Sequence, residues 1–140
     1  MKTFISSAII FFVLLGMGSC VSTGRGKENN AVPSWAGMYS GVLPAADCPG
    51  ISMVVILNGD GNGSDGIYKI TYYYIDRDER LFTFTGKLSW DRAANLITLD
   101  SEHLPRYYKT GKDSLIQLDT GGKEITGELA NHYKLIKVKF

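Results

Sequence analysis

The chain has 140 residues, of which 44% are hydrophobic, and a formal net charge of +1. This length allows one domain with a single core. Lysine and arginine (15) barely exceed aspartate and glutamate (14) and form no block, which excludes a basic surface of the kind that binds nucleic acid. Eight tyrosines, six phenylalanines and sixteen glycines favour strands joined by tight turns.

Residues 1–19 have the pattern of an export signal. Lys2 precedes the apolar run Ile9–Leu15, which ends well short of the roughly 20 residues that a membrane-spanning helix needs. Met17–Cys20 resembles the lipobox of bacterial lipoproteins, in which small residues precede a cysteine that receives diacylglycerol, although methionine replaces the usual leucine. We therefore expect a lipoprotein signal peptide and lipidation of Cys20, with an uncleaved anchor or ordinary secretion as alternatives.

The lipid on Cys20 would make the membrane the first partner of this protein. Two or three acyl chains hold a protein on a membrane far more firmly than one does. Residues 20–34 continue with small and polar side chains, which cannot bury enough apolar surface to fold. We expect this segment to be a lipidated cysteine followed by a flexible tether.

Residues 35–140 are expected to form one all-β domain. Short alternating runs are separated by turn clusters rich in glycine, asparagine and aspartate, which is typical of an antiparallel barrel or sandwich. The predicted strands are Met38–Leu43, Ile51–Asn58, Ile67–Ile75, Leu81–Trp90, Leu96–Asp100, Arg106–Lys109, Ser114–Asp119 and Tyr133–Lys139.

One segment resembles a known family. Residues 39–51 read YSGVLPAADCPGI and are similar to the NlpE N-terminal domain signature, Y-x-G-x-L-P-C-A-D-C-x-G-I. The signature residues of its loop are Leu43, Pro44, Asp47, Cys48 and Gly50. Segments 86–90, 96–99, 115–119 and 133–135 fit the same order of strands, so the resemblance covers nearly all of residues 35–140.

The resemblance implies a small, lipocalin-like antiparallel β-barrel on an outer-membrane lipoprotein of the cell envelope, with roles in stress sensing, adhesion or copper tolerance. It implies no catalysis and no cofactor, and the sequence contains no catalytic motif. We expect a binding or sensing module for an envelope protein or a small apolar ligand. The alternative is a structural or assembly role with a filled barrel, in which Phe82, Phe84, Trp90 and Leu118 would meet at the centre.

Cys48 is a weak candidate metal ligand. The family's paired cysteines correspond to Ala45 and Cys48, and a single thiolate is insufficient to chelate a soft metal such as copper(I). Met38, Met53, His103 and His132 could assist only if the fold brought them together. We therefore expect no metal site and a partly buried thiol in a turn.

Overall fold

The fold is a closed, eight-stranded antiparallel barrel in which each strand pairs with its neighbours in the chain. The computed structural model describes residues 32–61 and 63–140; Cys20, the predicted signal peptide and most of the tether lie outside them. The strands are β1 Gly37–Leu43, β2 Ile51–Gly59, β3 Asp65–Tyr74, β4 Asp78–Asp91, β5 Leu96–Leu99, β6 Tyr107–Gly111, β7 Ser114–Gln117 and β8 Lys134–Lys137. The expected all-β, lipocalin-like barrel is confirmed.

Strand β4 is longer than the sequence predicted. It begins at Asp78, because the turn after β3 occupies only residues 75–77, where Asp76 adopts a positive φ of 55°. The charged residues that follow extend as a strand, since both their faces can reach solvent and Arg80 pairs with Asp78 at 2.7 Å. A short 3₁₀ helix, Ala130–His132, was also not expected from the sequence.

The barrel interior is filled along most of its length by alternate side chains of the strands. On β2, Met53, Val55 and Leu57 are buried, whereas the intervening residues face outwards, as the two-residue period of a strand requires. Aromatic and aliphatic side chains from other strands complete the core, the largest fully buried ones being Trp35, Tyr39, Tyr108, Ile70, Ile97, Leu99, Leu115 and Leu135. A barrel of about eight strands is narrow enough to be filled in this way.

One end of the barrel, which we term the closed end, is sealed by Trp35. This residue immediately precedes β1, is 1% exposed, and lies with its ring 5.9 Å from that of Trp90. Its carbonyl accepts a hydrogen bond of 2.8 Å from the buried Tyr39 hydroxyl. Gly66 makes room for the indole, because a Cβ at that position would lie 2.9 Å from Trp35 Cη2.

The opposite end, which we term the mouth, is formed by the loops after β1, β3, β5 and β7. Phe82 and Phe84 point inwards on the mouth half of β4 but are only half-buried. Trp90 instead packs at the closed end against Trp35. Phe82, Phe84 and Trp90 therefore do not meet at the centre as the filled-barrel alternative described, because β4 distributes them between the mouth and the closed end.

Candidate binding site at the barrel mouth

The signature loop between β1 and β2 is attached to the turn between β3 and β4. The Asp47 carboxylate pairs with the Arg77 guanidinium at 2.5 Å. The Gly50 carbonyl accepts hydrogen bonds from the Ile75 backbone N–H at 3.0 Å and from the Cys48 thiol at 3.3 Å. Gly50 is required by space, since a Cβ there would lie 2.5 Å from Val42 Cγ1. These contacts hold the loop in one position at the mouth.

The loop forms one side of a cavity of about 190 Å³ at the mouth. Leu43 and Pro44 line it from the loop, and His103 and Tyr133 line it from the loops opposite. Gln117, the last residue of β7, also lines the cavity. Its Oε1 atom is buried and has no hydrogen-bond partner among the described residues. A buried acceptor without a donor is costly, so a donor brought into this cavity would stabilise the Gln117 side chain if it reached Oε1.

Four aromatic residues of β3 and β4 form a wall beside this cavity, which we term the aromatic wall: Tyr72, Tyr74, Phe82 and Phe84. The ring of Tyr72 stacks on Phe82 at 5.3 Å and on Phe84 at 6.1 Å. Tyr74 meets Tyr72 edge-on at 5.8 Å. Burial, and then the nearby Tyr74, raise the pKa of Tyr72.

Cationic side chains lie over the outer part of the aromatic wall. The Arg77 guanidinium lies 5.4 Å from the Tyr74 ring centroid, and that of Arg80 lies 5.7 Å from the Phe82 centroid. Arg80 also holds Asp78, which lowers the pKa of that carboxyl to about 2. The rim of the mouth therefore combines aromatic faces with fixed charges.

The predicted signature residues play two roles. Leu43 and Pro44 line the cavity, whereas Asp47, Cys48 and Gly50 hold the loop. Sequence reasoning did not identify Gln117 or Arg77. The alternation of β7 could have revealed Gln117, because it follows the buried Leu115 by two residues and so shares its inward face.

The candidate metal ligands do not converge on Cys48. Met53 and His103 line the cavity without Cys48, Met38 lies on the outer side of β1, and His132 is exposed in the 3₁₀ helix. Within residues 32–61 and 63–140, no group of three or more histidine, cysteine, aspartate or glutamate side chains could hold a metal ion. Cys48 acts instead as a hydrogen-bond donor within its own loop.

A larger, open groove of about 730 Å³ runs along the outside of the barrel at β3, β4 and β5. Two of its charged side chains are engaged by backbone groups: Asp100 Oδ1 accepts from the Lys87 N–H at 2.9 Å, and Arg106 Nε donates to the Leu99 carbonyl at 3.4 Å. The mouth is therefore the better candidate site, since its buried acceptor has no such partner. In the part of the chain that is described, no helix has the length and apolarity needed to span a membrane.

Comparisons with known proteins agree with this fold. The sequence profile of the NlpE N-terminal domain matches residues 39–128. Lipoprotein NlpE of Escherichia coli K12 is 30% identical over 129 residues, which are 87% of this chain and 51% of that protein. This chain thus spans about half the length of that relative.

Two solved structures are similar as well. A crystal structure of a protein assigned as a lipoprotein from Shewanella oneidensis is 37% identical, with a TM-score of 0.64, and the match covers 81% of this chain and 96% of that one. The crystal structure of the Cpx pathway activator NlpE from Escherichia coli is 30% identical, with a TM-score of 0.48 over 66% of this chain and 46% of that one.

Proposed function

The chain belongs to the NlpE N-terminal domain family, and we propose that it is a non-catalytic envelope lipoprotein that binds or senses a partner through the mouth of its barrel. The observation that carries this proposal is the cavity at the mouth, which is lined by Gln117, a side chain whose buried Oε1 has no hydrogen-bond partner among the described residues. A partner group that supplied an N–H or O–H would remove that cost.

The dimensions of the mouth limit what can bind there. Its volume of about 190 Å³ lies below the 300–1,000 Å³ or so of typical small-molecule sites. Below it, the interior is filled by buried side chains of the described residues. We therefore infer that the mouth receives a single projecting apolar group that carries a hydrogen-bond donor, such as an aromatic side chain of another envelope protein. The aromatic wall offers such a group a stacking surface.

The lipid anchor is the second part of the proposal. We propose that Cys20 carries the acyl chains and that residues 20–34 tether the domain to the outer membrane, as the lipobox-like segment suggests. Copper binding is not part of the proposed role. Ala45 replaces the first family cysteine, and soft-metal sites need several converging sulfur or imidazole donors.

The filled interior also favours a second candidate function. A barrel packed by its own side chains suits a structural or assembly role that needs no ligand. The two candidates differ in what they require of the mouth. Binding requires Gln117 and the aromatic wall to contact another molecule, whereas an assembly role requires nothing of them.

Site-specific photocrosslinking in the native envelope tests the mouth. A photoreactive phenylalanine at His103, which lines the cavity, should yield a discrete crosslinked product. The matched control carries the same group at Asn95, an exposed residue of the closed end. Gln117→Leu should remove the product, because leucine cannot accept the hydrogen bond. Equal products at both positions would contradict the binding role, and none at either would favour the assembly role.

Membrane retention tests the anchor. Cys20→Ser should release the protein from the membrane fraction, because it removes the acyl chains and the polar tether offers no substitute. Cys48→Ser is the matched control and should leave retention unchanged. Labelled palmitate on the Cys20→Ser protein would contradict the assignment of Cys20.

A further inference from the structure

The outer face of β1 and β2 carries no charge. Neither strand contains an aspartate, glutamate, lysine or arginine. Apolar or small side chains point outwards from these strands and from the middle of β8, and we term the surface that they form the uncharged face: Met38, Ser40, Val42, Ser52, Val54, Ile56 and Ile136. Val42 is 52% exposed and Ile136 is 53% exposed. The uncharged face therefore presents aliphatic groups to solvent.

The register of the strands joins these side chains into one surface. Met38 is paired with Ile56. Ser40 is paired with Val54 on one side and with Ile136 on the other. Paired residues on one face of a sheet have Cβ atoms about 4.5–5.5 Å apart, so these side chains contact one another. A contiguous apolar surface of this kind marks a site of contact with a protein or a membrane.

Lysines border the uncharged face on two sides. Lys69 of β3 is paired with Ile56, and Lys134 of β8 precedes Ile136 by two residues and shares its outward direction. Both lysines are exposed, and neither is in an ion pair within residues 32–61 and 63–140. Strands β1, β2 and β8 contain no acidic residue, and β3 has one only at its first position, Asp65. The border is therefore cationic.

The chain enters the barrel at one end of this face, through β1. Lys137, at the closed end of β8, holds the entering segment, since its Nζ donates to the Ser34 carbonyl at 2.9 Å. Residues 21–31 separate Cys20 from Val32, the first described residue. A segment of that length spans at most about 40 Å. A lipid on Cys20 would therefore keep the uncharged face close to the membrane.

We propose that the uncharged face lies on the membrane that holds the lipid anchor, with its apolar side chains among the headgroups and the bordering lysines on anionic phospholipids. The inference rests on the lipid anchor of the proposed function and adds which side of the barrel meets the bilayer. Binding to a membrane surface gains from buried apolar area and from the attraction between lysine and anionic lipid. This orientation leaves the mouth free for a partner.

A protein partner fits this face less well than a lipid surface does. Lysine is depleted in protein–protein interfaces, whereas two lysines border this face. A second copy of the chain would bring Lys69 and Lys134 of both copies to one interface, where β1, β2 and β8 supply no acid to pair with them. The phosphate groups of a membrane supply the missing anions.

Fluorescence quenching on vesicles tests which side faces the membrane. The full chain, carrying Cys48→Ser and its own lipid, is reconstituted in phosphatidylcholine and phosphatidylglycerol with nitroxide-labelled headgroups. A small fluorophore is attached at Ser40→Cys or, as the matched control, at Thr98→Cys. Thr98 is also a half-buried, outward hydroxyl residue, and its strand, β5, lies four strands from β1 in the closed barrel of eight. We expect several-fold stronger quenching at position 40, and equal quenching at the two positions would overturn the proposal.

Charge reversal tests the lysines. Lys69→Glu combined with Lys134→Glu should lower quenching at position 40 to the level at position 98, because the border would then repel anionic lipid. Lys87→Glu combined with Lys123→Glu makes the same change in net charge at exposed residues outside the face and should leave quenching unchanged. Circular dichroism should show both variants folded. Undiminished quenching in the first variant, or equal loss in both, would overturn the proposal.

Two further readouts identify other occupants and separate this inference from the anchor. If position 40 is protected from aqueous iodide but not quenched by the nitroxide lipid, protein covers the face, either residues 21–31 or a second copy, and the proposal is overturned. Quenching is measured only on chains that stay with the vesicles. Loss of retention therefore contradicts the anchor at Cys20, whereas equal quenching in retained protein contradicts the assignment of this face.

Discussion

Aromatic side chains are buried at one end of the barrel and partly exposed at the other. At the closed end, Trp35 is 1% exposed, contacts Trp90 and excludes solvent from the core. At the mouth, the aromatic wall is only half-buried, although it stacks as closely. Stacking alone therefore does not seal a barrel, since the rings of the aromatic wall stack on one another and still remain partly exposed.

The two ends also differ in the kind of contact that holds the chain in place. Trp35 is held by packing, with a glycine at position 66 that leaves room for its ring. The signature loop is held by polar contacts, chiefly Asp47 with Arg77 and the Gly50 carbonyl with Ile75. Burial of apolar surface contributes more free energy than an exposed ion pair does. The closed end should therefore dominate stability, and the mouth should be the softer end.

Trp35→Ala should have the largest effect, because it removes a fully buried ring from the closed end. We expect the free energy of unfolding to fall by about 3–5 kcal/mol in urea denaturation. Tyr73→Ala is the control, since Tyr73 is 38% exposed on the outer face of β3 and should change stability little. An unchanged denaturation midpoint for Trp35→Ala would show that the closed end is not sealed by this ring.

Gly66→Ala should rank second. A Cβ at this position would lie 2.2 Å from the Asn58 carbonyl oxygen and 2.9 Å from the Trp35 ring, so backbone and indole must both move. We expect a loss of about 1–3 kcal/mol, together with a changed tryptophan fluorescence spectrum. Gly121→Ala, whose Cβ would lie an ordinary 3.4 Å from Asp119, should leave both unchanged. Equal effects at the two glycines would disprove the close contact at Trp35.

Tyr108→Phe should increase stability. The Tyr108 hydroxyl is buried with no partner among the described residues, so removing it should raise the free energy of unfolding by about 1 kcal/mol. Burial, and then the nearby Tyr68, raise the pKa of this phenol. The unfolded chain therefore releases this proton first. The free energy of unfolding is unaffected by this ionisation below the ordinary pKa of 10.0 and falls as pH rises above it.

The pH dependence gives a second readout of the same residue. Wild-type protein should lose stability progressively above pH 10, and Tyr108→Phe should lose less over that range. Tyr73→Phe, on the exposed face, is the control and should follow the wild-type curve. Parallel curves for wild type and Tyr108→Phe would show that the hydroxyl reaches solvent.

Asp47→Asn should have the smallest effect on global stability, below about 1 kcal/mol, because the ion pair with Arg77 is exposed. Its effect should be local: the Ile75 amide, which bonds to Gly50, should exchange its hydrogen faster. Asp113→Asn breaks a comparable pair, with Lys139, at the closed end and should not affect that amide. Equal exchange in both variants would mean that the loop is held by Gly50 alone.

The sequence by itself determined the strands and the family. Alternation and turn residues are local signals, so all eight predicted strands begin within three residues of an observed strand. The signature of residues 39–51 identified the family because its residues act locally. Gly50 leaves room for Val42, and Asp47 pairs with Arg77 in the neighbouring turn. Lipidation of Cys20 stays a prediction, since that residue lies outside the described residues.

Only the tertiary structure decided which end closes and where the cavity lies. Trp35 meets Trp90 across 55 positions of sequence, and Gln117 meets the signature loop only because the barrel closes. Periodicity specifies the face on which a side chain lies, but register and closure specify its neighbours.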